Sequence, residues 1–157
     1  MGRRAARAAL LLVLVAVATS ATAADRGDPA IRTLVPKIVA AWQTMDITKV
    51  DPYYAKDAEL AFFDLAPMKY VNWAEYRAGV QKMFFEPNKS LTFTIKDDLA
   101  VHRRGLTAWA TFTFGADVVG KDDKPAHLDG RWTMILEQRG GRWTVVHEHV
   151  SVPLGGP

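Results

Sequence analysis

The spacing of apolar positions divides the chain into a helical first half and a β-rich second half. Between residues 28 and 45, apolar side chains recur every three or four positions, which predicts an amphipathic helix. Pro36 lies inside this pattern and predicts a kink or a late helix start. Residues 47–55 indicate a second, short helical segment. Asn72, followed three residues later by Glu75, predicts the N-terminal cap of a further helix.

The strands are predicted mainly after residue 87. Residues 58–64 form an apolar, aromatic run that indicates an early buried strand ending in an acid. Four longer strands follow at 91–101, 106–118, 128–138 and 142–152, with short breaks that favour sequential antiparallel pairing. Helices first and strands last predict an α+β fold in which a curved sheet wraps the helices.

The last two strands are joined by Gly140–Gly141, a pair typical of a two-residue hairpin turn. Counting outward from that turn pairs Met134 with His147 and Trp132 with His149, so both imidazoles are expected on the inner, apolar face. The opposite face is expected to carry Ile135, Val146 and Val150.

The N-terminus has the order of a secretory signal peptide. Three arginines within the first seven residues precede an apolar run over residues 8–18 and a small-residue string over 19–24. We therefore predict a cleaved signal peptide at 1–24 and one mature domain at 25–157. The mature protein is expected to be exported to the periplasm or the extracellular space, with no membrane segment after cleavage.

The net charge of the chain changes once that leader is removed. Of the 20 Lys and Arg residues, three lie in the leader, and the other 17 balance the 17 Asp and Glu residues. A neutral domain without a basic cluster gives no indication of nucleic-acid binding. The chain has no Cys, which excludes disulfides and thiolate metal sites.

Three titratable residues are candidates for chemistry. Asp64 follows two phenylalanines, and an apolar setting would raise its pKa towards that of a working base; the alternative is a turn acid that caps the following bend. His147 and His149 lie two apart on a strand and share a face, which suits a general base, or they are hydrogen-bonded core imidazoles. A metal site is the least favoured interpretation, because no further ligands have suitable spacing, and no cofactor is indicated.

A largely aromatic set of side chains is predicted to line a cavity for a small apolar or aromatic ligand. The alternative is that these side chains fill the core. Tyr54 and Tyr76 could each supply a hydrogen-bond donor, or could be core aromatics with local partners. The predicted ligand-binding residues are Tyr54, Phe62, Trp73, Phe112, Phe114, Trp132 and Met134.

The order of these motifs resembles a known family. Tyr54-Ala55-x-Asp57-Ala58, Phe63-Asp64, Trp73-x-Glu75-Tyr76, Gly130-Arg131-Trp132-Thr133 and the ending Arg142-Trp143-x-Val145-Val146-His147-x-His149-x-Ser151 resemble the SnoaL-like branch of the nuclear transport factor 2-like superfamily. The ending is also similar to the association domain of calcium/calmodulin-dependent kinase II. The resemblance implies a conical, cystatin-like roll that dimerises through its sheet.

The resemblance also bears on the site. It implies that Asp64 could move a proton next to a carbonyl, as the aspartate of SnoaL-like cyclases and ketosteroid isomerases does. Met134 matches an arginine of the kinase association domain, which argues against recognition of an anion in the cavity. Three functions stay open: an exported small-molecule-binding protein, a proton-transfer enzyme using Asp64 with His147 or His149, and a dimerisation module without chemistry. The first is preferred because the predicted cavity has few polar groups.

Overall fold

A computed structural model describes residues 27–155, so the leader predicted at 1–24 lies outside the described residues. The helices are α1 (Pro29–Gln43), α2 (Ile47–Val50) and α3 (Trp73–Val80), with a 3-10 turn (Asp51–Tyr53) after α2 and a π-helical turn (Gln81–Phe85) after α3. The strands are β1 (Asn88–Ile95), β2 (Ala100–Arg104), β3 (Thr107–Gly120), β4 (Pro125–Arg139) and β5 (Arg142–Ser151). All helices precede all strands, which confirms the α+β prediction.

The helix starts are fixed by side-chain caps. Asp28 accepts hydrogen bonds from the backbone N–H of Ala30 at 2.8 Å and of Ile31 at 3.4 Å, so α1 begins at once with Pro29 in its first turn. The helix continues through Pro36, and the expected late start is wrong. Its buried face comprises Ile31, Val35, Ile38, Val39, Ala41 and Trp42.

The predicted cap of α3 is confirmed. Asn72 Oδ1 accepts the N–H of Glu75 at 2.9 Å, and Glu75 Oε2 accepts the N–H of Val71 at 3.1 Å. The two residues therefore satisfy backbone donors on both sides of the helix start. This cap orients Tyr76, which is one of the site residues described below.

The strand predicted at 58–64 is not a regular strand. Phe62 exchanges two 2.9 Å backbone hydrogen bonds with Tyr70, and Phe63 forms a single bridge to His149. Because the chain turns back on itself within eight residues, no length remains for a longer ladder. The segment is instead fastened at two points, one of them on the free edge of β5.

The sheet is antiparallel and runs in the order β1-β3-β4-β5, with β2 paired beside β1 along the same edge of β3. The single strand predicted at 91–101 is therefore two strands. Asp98 lies at the break, where its carboxylate accepts the N–H and the hydroxyl of Thr113, both at 2.9 Å. The side chain replaces backbone pairing at this point, which ends β1 and lets β2 begin.

The inner face of the curved sheet covers the helices. Alternate residues of β3 are buried on this face: Ala108, Ala110, Phe112, Phe114, Ala116 and Val118. Trp42 of α1 lies in the same core, where its ring is 6.0 Å from that of Phe85. Within residues 27–155, no helix combines the length and the apolar character needed to cross a bilayer.

The register of the last hairpin agrees with the prediction only near the turn. Arg139 pairs with Arg142 and Leu136 with Val145, as a two-residue turn requires. Beyond this point Ile135 pairs with His147, which leaves Val146 as the extra residue of a β-bulge.

The bulge exchanges the two faces of the outer half of β5. Met134 pairs with Glu148 instead of His147, and Trp132 pairs with Val150 instead of His149. Our prediction that both imidazoles line the cone is therefore wrong. Val150 was expected on the outer face and is buried on the inner one.

Candidate functional site

A cavity of about 160 Å³ lies between the inner face of the sheet and the segment formed by α3 and the following π-helical turn. The most exposed of its lining residues are Leu65, Ala66 and Met83, which mark the mouth of the cavity. The remaining walls are mostly apolar and aromatic: Trp42, Asp64, Tyr70, Tyr76, Val80, Phe84, Leu91, Phe93, Phe114, Ala116, Leu128, Trp132 and Val150.

Asp64 lines this cavity, as its predicted role as a site residue requires. Its Oδ1 accepts the backbone N–H of Leu65 at 2.7 Å, so the predicted turn contact is present as well. Burial raises the pKa of the Asp64 carboxyl, and the hydrogen bond from Leu65 opposes that rise. The structure thus combines the two interpretations that the sequence left open.

Glu148 is a site residue that the sequence reasoning missed. Its side chain is 0% exposed, and it is the one acidic, basic or polar residue that is fully buried in the described part of the chain. Three donors surround the carboxylate: the hydroxyl of Tyr54 at 2.5 Å, the hydroxyl of Tyr76, and Trp132 Nε1 at 3.1 Å. The three donors come from three different elements of the fold.

Burial raises the pKa of Glu148 to about 7. The hydrogen bonds from Tyr54, Tyr76 and Trp132 stabilise the ionised form and oppose this rise, whereas the negative charge of Asp64 adds to it. Loss of water is the larger effect, because no cation contacts the carboxylate. Glu148 consequently titrates near neutral pH although it does not reach the solvent.

Two tyrosines and two tryptophans point their polar atoms away from the cavity. Trp42 Nε1 donates to the Tyr54 hydroxyl at 2.9 Å, and that hydroxyl donates in turn to Glu148. Burial and the nearby carboxylates raise the pKa of Tyr54 and of Tyr76, so both phenols keep their protons. The prediction that these two hydroxyls find local partners is confirmed.

The predicted ligand-binding residues divide into two groups. Phe114 and Trp132 lie on the cavity wall. The other five are buried in the described structure without lining that cavity: Tyr54, Phe62, Trp73, Phe112 and Met134. Several of them fill the interior by ring packing, with Tyr54 stacked on Trp73 at 4.3 Å between centroids. For these five residues the alternative interpretation, that the side chains fill the core, is the one that the structure shows.

Neither histidine reaches the cavity. His147 is partly buried on the outer side, and its Nδ1 donates to the carbonyl of Ala61 at 2.7 Å. His149 is exposed, and the Phe63 ring lies 5.3 Å from the His147 ring and 5.8 Å from that of His149. The two imidazoles therefore help to hold the 61–63 segment against β5. Residues 27–155 contain no group of three or more His, Cys, Asp and Glu side chains placed to hold a metal ion.

One sequence signal could have located Glu148. The signal is that Val145 and Val146 are consecutive apolar residues, which breaks the alternation expected of a strand with one solvent-facing side. Both residues are buried in the structure. After this break Glu148 and Val150 lie on the inner side, opposite Met134 and Trp132. An acid on the apolar face, opposite buried Tyr and Trp side chains that need partners, is the pattern of a buried carboxyl hub.

Comparison with known proteins places the chain in a family. A profile of the SnoaL-like domain matches residues 31–155. Among curated protein sequences, none matches this chain significantly.

Solved structures share the fold. A nuclear transport factor 2-like protein from Salmonella enterica serovar Typhimurium superposes with a TM-score of 0.74 at 18% identity, covering 82% of this chain and 92% of that one. A nuclear transport factor 2-like protein from Pseudomonas putida has a TM-score of 0.67 at 26% identity, with 80% and 86% covered. The association domain of the C. elegans calcium/calmodulin-dependent kinase II has a TM-score of 0.61 at 15% identity, with 78% and 93% covered. The chain therefore belongs to the SnoaL-like domain family, and it shares the fold of nuclear transport factor 2-like proteins.

The raised pKa of Glu148 predicts an unusual pH dependence of stability. A glutamate has a pKa of 4.5 when unfolded and Glu148 has one of about 7 when folded, so between these values the folded state holds a proton that the unfolded state has lost. The free energy of unfolding should therefore fall as pH rises from about 4.5 to about 7, by about 3 kcal/mol in total. Urea titrations across this range measure the effect.

Glu148→Gln is the control, because glutamine does not titrate. The difference in unfolding free energy between wild type and Glu148→Gln removes the contributions of other groups, including Asp64, whose raised pKa acts in the same direction. A difference that stays constant between pH 4.5 and 7.5 would contradict the assignment of a proton to Glu148.

Proposed function

We propose that this SnoaL-like protein binds a small aromatic molecule of about one ring, and that Asp64 anchors a hydroxyl or amino group of that molecule. The observation that carries the proposal is an apolar cavity of about 160 Å³ whose lining includes Asp64 as its charged side chain. The ligand would enter past Leu65 and Met83, which are both exposed at the mouth.

The size of the cavity restricts the ligand. An apolar protein cavity of about 150 Å³ accommodates benzene. The cavity of this protein has a similar volume, about 160 Å³. A polycyclic ligand such as a steroid would require the wall to move.

The polar character of the wall restricts the ligand further. Trp42, Tyr76 and Trp132 lie on the wall, but their N–H and O–H groups donate to Tyr54 or Glu148. The Tyr70 hydroxyl donates to the carbonyl of Ala66 at 3.1 Å. Asp64 is then the group best placed for a ligand, and as a carboxylate it accepts a proton donor. This favours a phenol or an aromatic amine over a ketone or an anion.

A proton-transfer enzyme is the second candidate, because burial raises the pKa of Asp64 within the cavity. Enolisation also needs a donor for the developing oxyanion, and the donors of Tyr76 and Trp132 are engaged with Glu148. Binding is therefore better supported than catalysis. Exchange of the α-protons of a small aromatic ketone into D₂O, dependent on Asp64, would reverse that order.

The binding proposal predicts a preference for p-cresol over toluene. The two probes have similar shapes, but p-cresol can donate a hydrogen bond to Asp64. We expect p-cresol to bind about tenfold more tightly, as one hydrogen bond to a charged acceptor allows. Asp64→Leu should remove this preference while toluene binding remains. Calorimetry on the wild type and the variant measures both affinities.

A second variant tests the location of the probe. Ala116 is buried on the cavity wall, and Ala116→Leu should weaken both probes strongly by filling the space. Thermal melts without ligand establish that each variant is folded. If neither probe binds wild type, or if Ala116→Leu leaves the affinities unchanged, the proposed site is wrong.

We further propose that the protein forms a homodimer through the outer face of its sheet. That face carries Trp109 and Ile135 as paired neighbours, surrounded by partly buried threonines such as Thr111 and Thr133. An apolar centre with a polar rim suits burial against a second copy. The bulge alters the composition expected from the sequence, because Val150 faces inward.

Ile135→Lys should convert the dimer to a monomer, because two lysines would meet at the centre of the interface. Sedimentation equilibrium at micromolar concentrations measures the mass. Ala74→Lys, at an exposed position of α3 away from the sheet, is the matched control and should stay dimeric. A monomeric wild type would contradict the proposal.

Export is also part of the proposed function, and the arrangement of charged, apolar and small residues over 1–24 supports it. The exported protein should lack this segment and begin within a residue or two of Asp25. Intact-mass spectrometry of protein secreted by a bacterial host tests this expectation. A mass that includes residues 1–24 would show that the leader is retained.

A further inference from the structure

A second concave surface lies on the outside of the molecule, where α1, the α2 segment and the start of β5 meet. This groove has a volume of about 420 Å³ and is separate from the cavity, with which it shares no lining residue. Lys37 comes from α1, Lys49 from α2 and Arg142 from β5, and all three line it. No acidic side chain lines the groove in the described structure.

The three cations differ from other basic residues nearby. None of them forms an ion pair within residues 27–155. Arg139, the cross-strand partner of Arg142, instead contacts both Asp57 and Glu137. Like charges gathered without counter-charges repel one another and lower stability, so an anion bound among them would be favourable.

Asp46, three residues before Lys49, forms no ion pair with it in the described structure; hydrogen bonds from Thr48, and to a smaller extent the charge of Lys49, lower the pKa of Asp46. Asp46 accepts the backbone N–H of Thr48 at 2.9 Å and its hydroxyl at 2.6 Å, and so caps α2. The carboxylate is committed to the helix start and does not line the groove. The positive charge of the groove therefore remains available to a ligand.

The floor of the groove is apolar and aromatic. Leu34, Tyr53 and Trp143 line it and are each partly buried. The Arg103 guanidinium lies 5.0 Å from the centre of the Trp143 ring, and Arg103 is also paired with Asp28 at 2.5 Å. These contacts hold the indole in place at the groove wall. A flat organic group could stack there while its charge meets the cations.

We propose that this groove is a binding site for a small aromatic anion, such as an aromatic sulfonate or carboxylate. Lys37, Lys49 and Arg142 would hold the anionic group, and Tyr53 and Trp143 would contact the ring. The site is independent of the cavity, whose charged residue is the acidic Asp64 and which selects a proton donor.

The probe for this site is benzenesulfonate, which stays ionised at every accessible pH. Titration followed by ¹H–¹⁵N NMR should give saturable shifts of the Trp143 indole and of the Lys49 amide. Lys37→Gln and Arg142→Gln should each weaken binding by about three- to fivefold, the range expected for one exposed charge pair. Lys121→Gln is the matched control, because Lys121 is exposed, forms no ion pair in the described structure and lies beyond the opposite end of β4.

Three results would overturn the proposal. Equal weakening by Lys121→Gln would mean that the probe responds to overall charge. Inorganic sulfate bound as tightly as benzenesulfonate would exclude a role for the aromatic floor. Shifts confined to cavity residues such as Ala116 would place the probe in the other site. Benzenesulfonate binding that is retained in Asp64→Leu and lost in the double variant Lys37→Gln/Arg142→Gln would establish the groove as the binding site. This result does not depend on whether the cavity proposal is correct.

Discussion

The rest of this structure depends on the hydrogen bonds that converge on one carboxyl group, which is completely shielded from water. Glu148 of β5 accepts hydrogen bonds from Tyr54, from Tyr76 of α3 and from Trp132 of β4, and Tyr54 in turn binds Trp42 of α1. One acid thus joins the helices to the sheet. Each donor left buried without it would destabilise the fold by about 1–3 kcal/mol.

The β-bulge at Val146 makes this arrangement possible. It turns Glu148 inward, and the backbone of the same stretch fixes the loop that carries the other acid. Phe63 donates its N–H to the Glu148 carbonyl at 2.9 Å and accepts the N–H of Val150 at 3.0 Å. Asp64 follows directly and is held at the cavity. Strand β5 therefore positions both acids: Glu148 lies behind the cavity wall, and Asp64 forms part of that wall.

The sequence predicted what local rules determine. The α3 cap at Asn72 and the two-residue turn at Gly140–Gly141 depend on neighbours close in the chain, and the structure confirms them. The side of the sheet on which His147 and Glu148 lie depends on one extra residue in β5, because a one-residue bulge moves every later side chain of the strand to the opposite face. The bulged strand β5 also pairs over long range with Tyr54, Ala55 and Phe63. No count from the turn includes those contacts, so the count placed Glu148 on the outer face and the two histidines on the inner one.

The buried hub also determines what the cavity can recognise. The side chains of Tyr76 and Trp132 line the cavity, and their polar hydrogens are donated to Glu148. A ligand carbonyl or anion that drew either donor towards itself would remove one of the three hydrogen bonds that the buried carboxylate accepts, which is unfavourable in a dry interior. In the binding mode that we propose, ligands with proton donors would avoid that penalty, because Asp64 would accept them without disturbing the hub. The selectivity proposed for the cavity is thus a consequence of the same contacts that stabilise the fold.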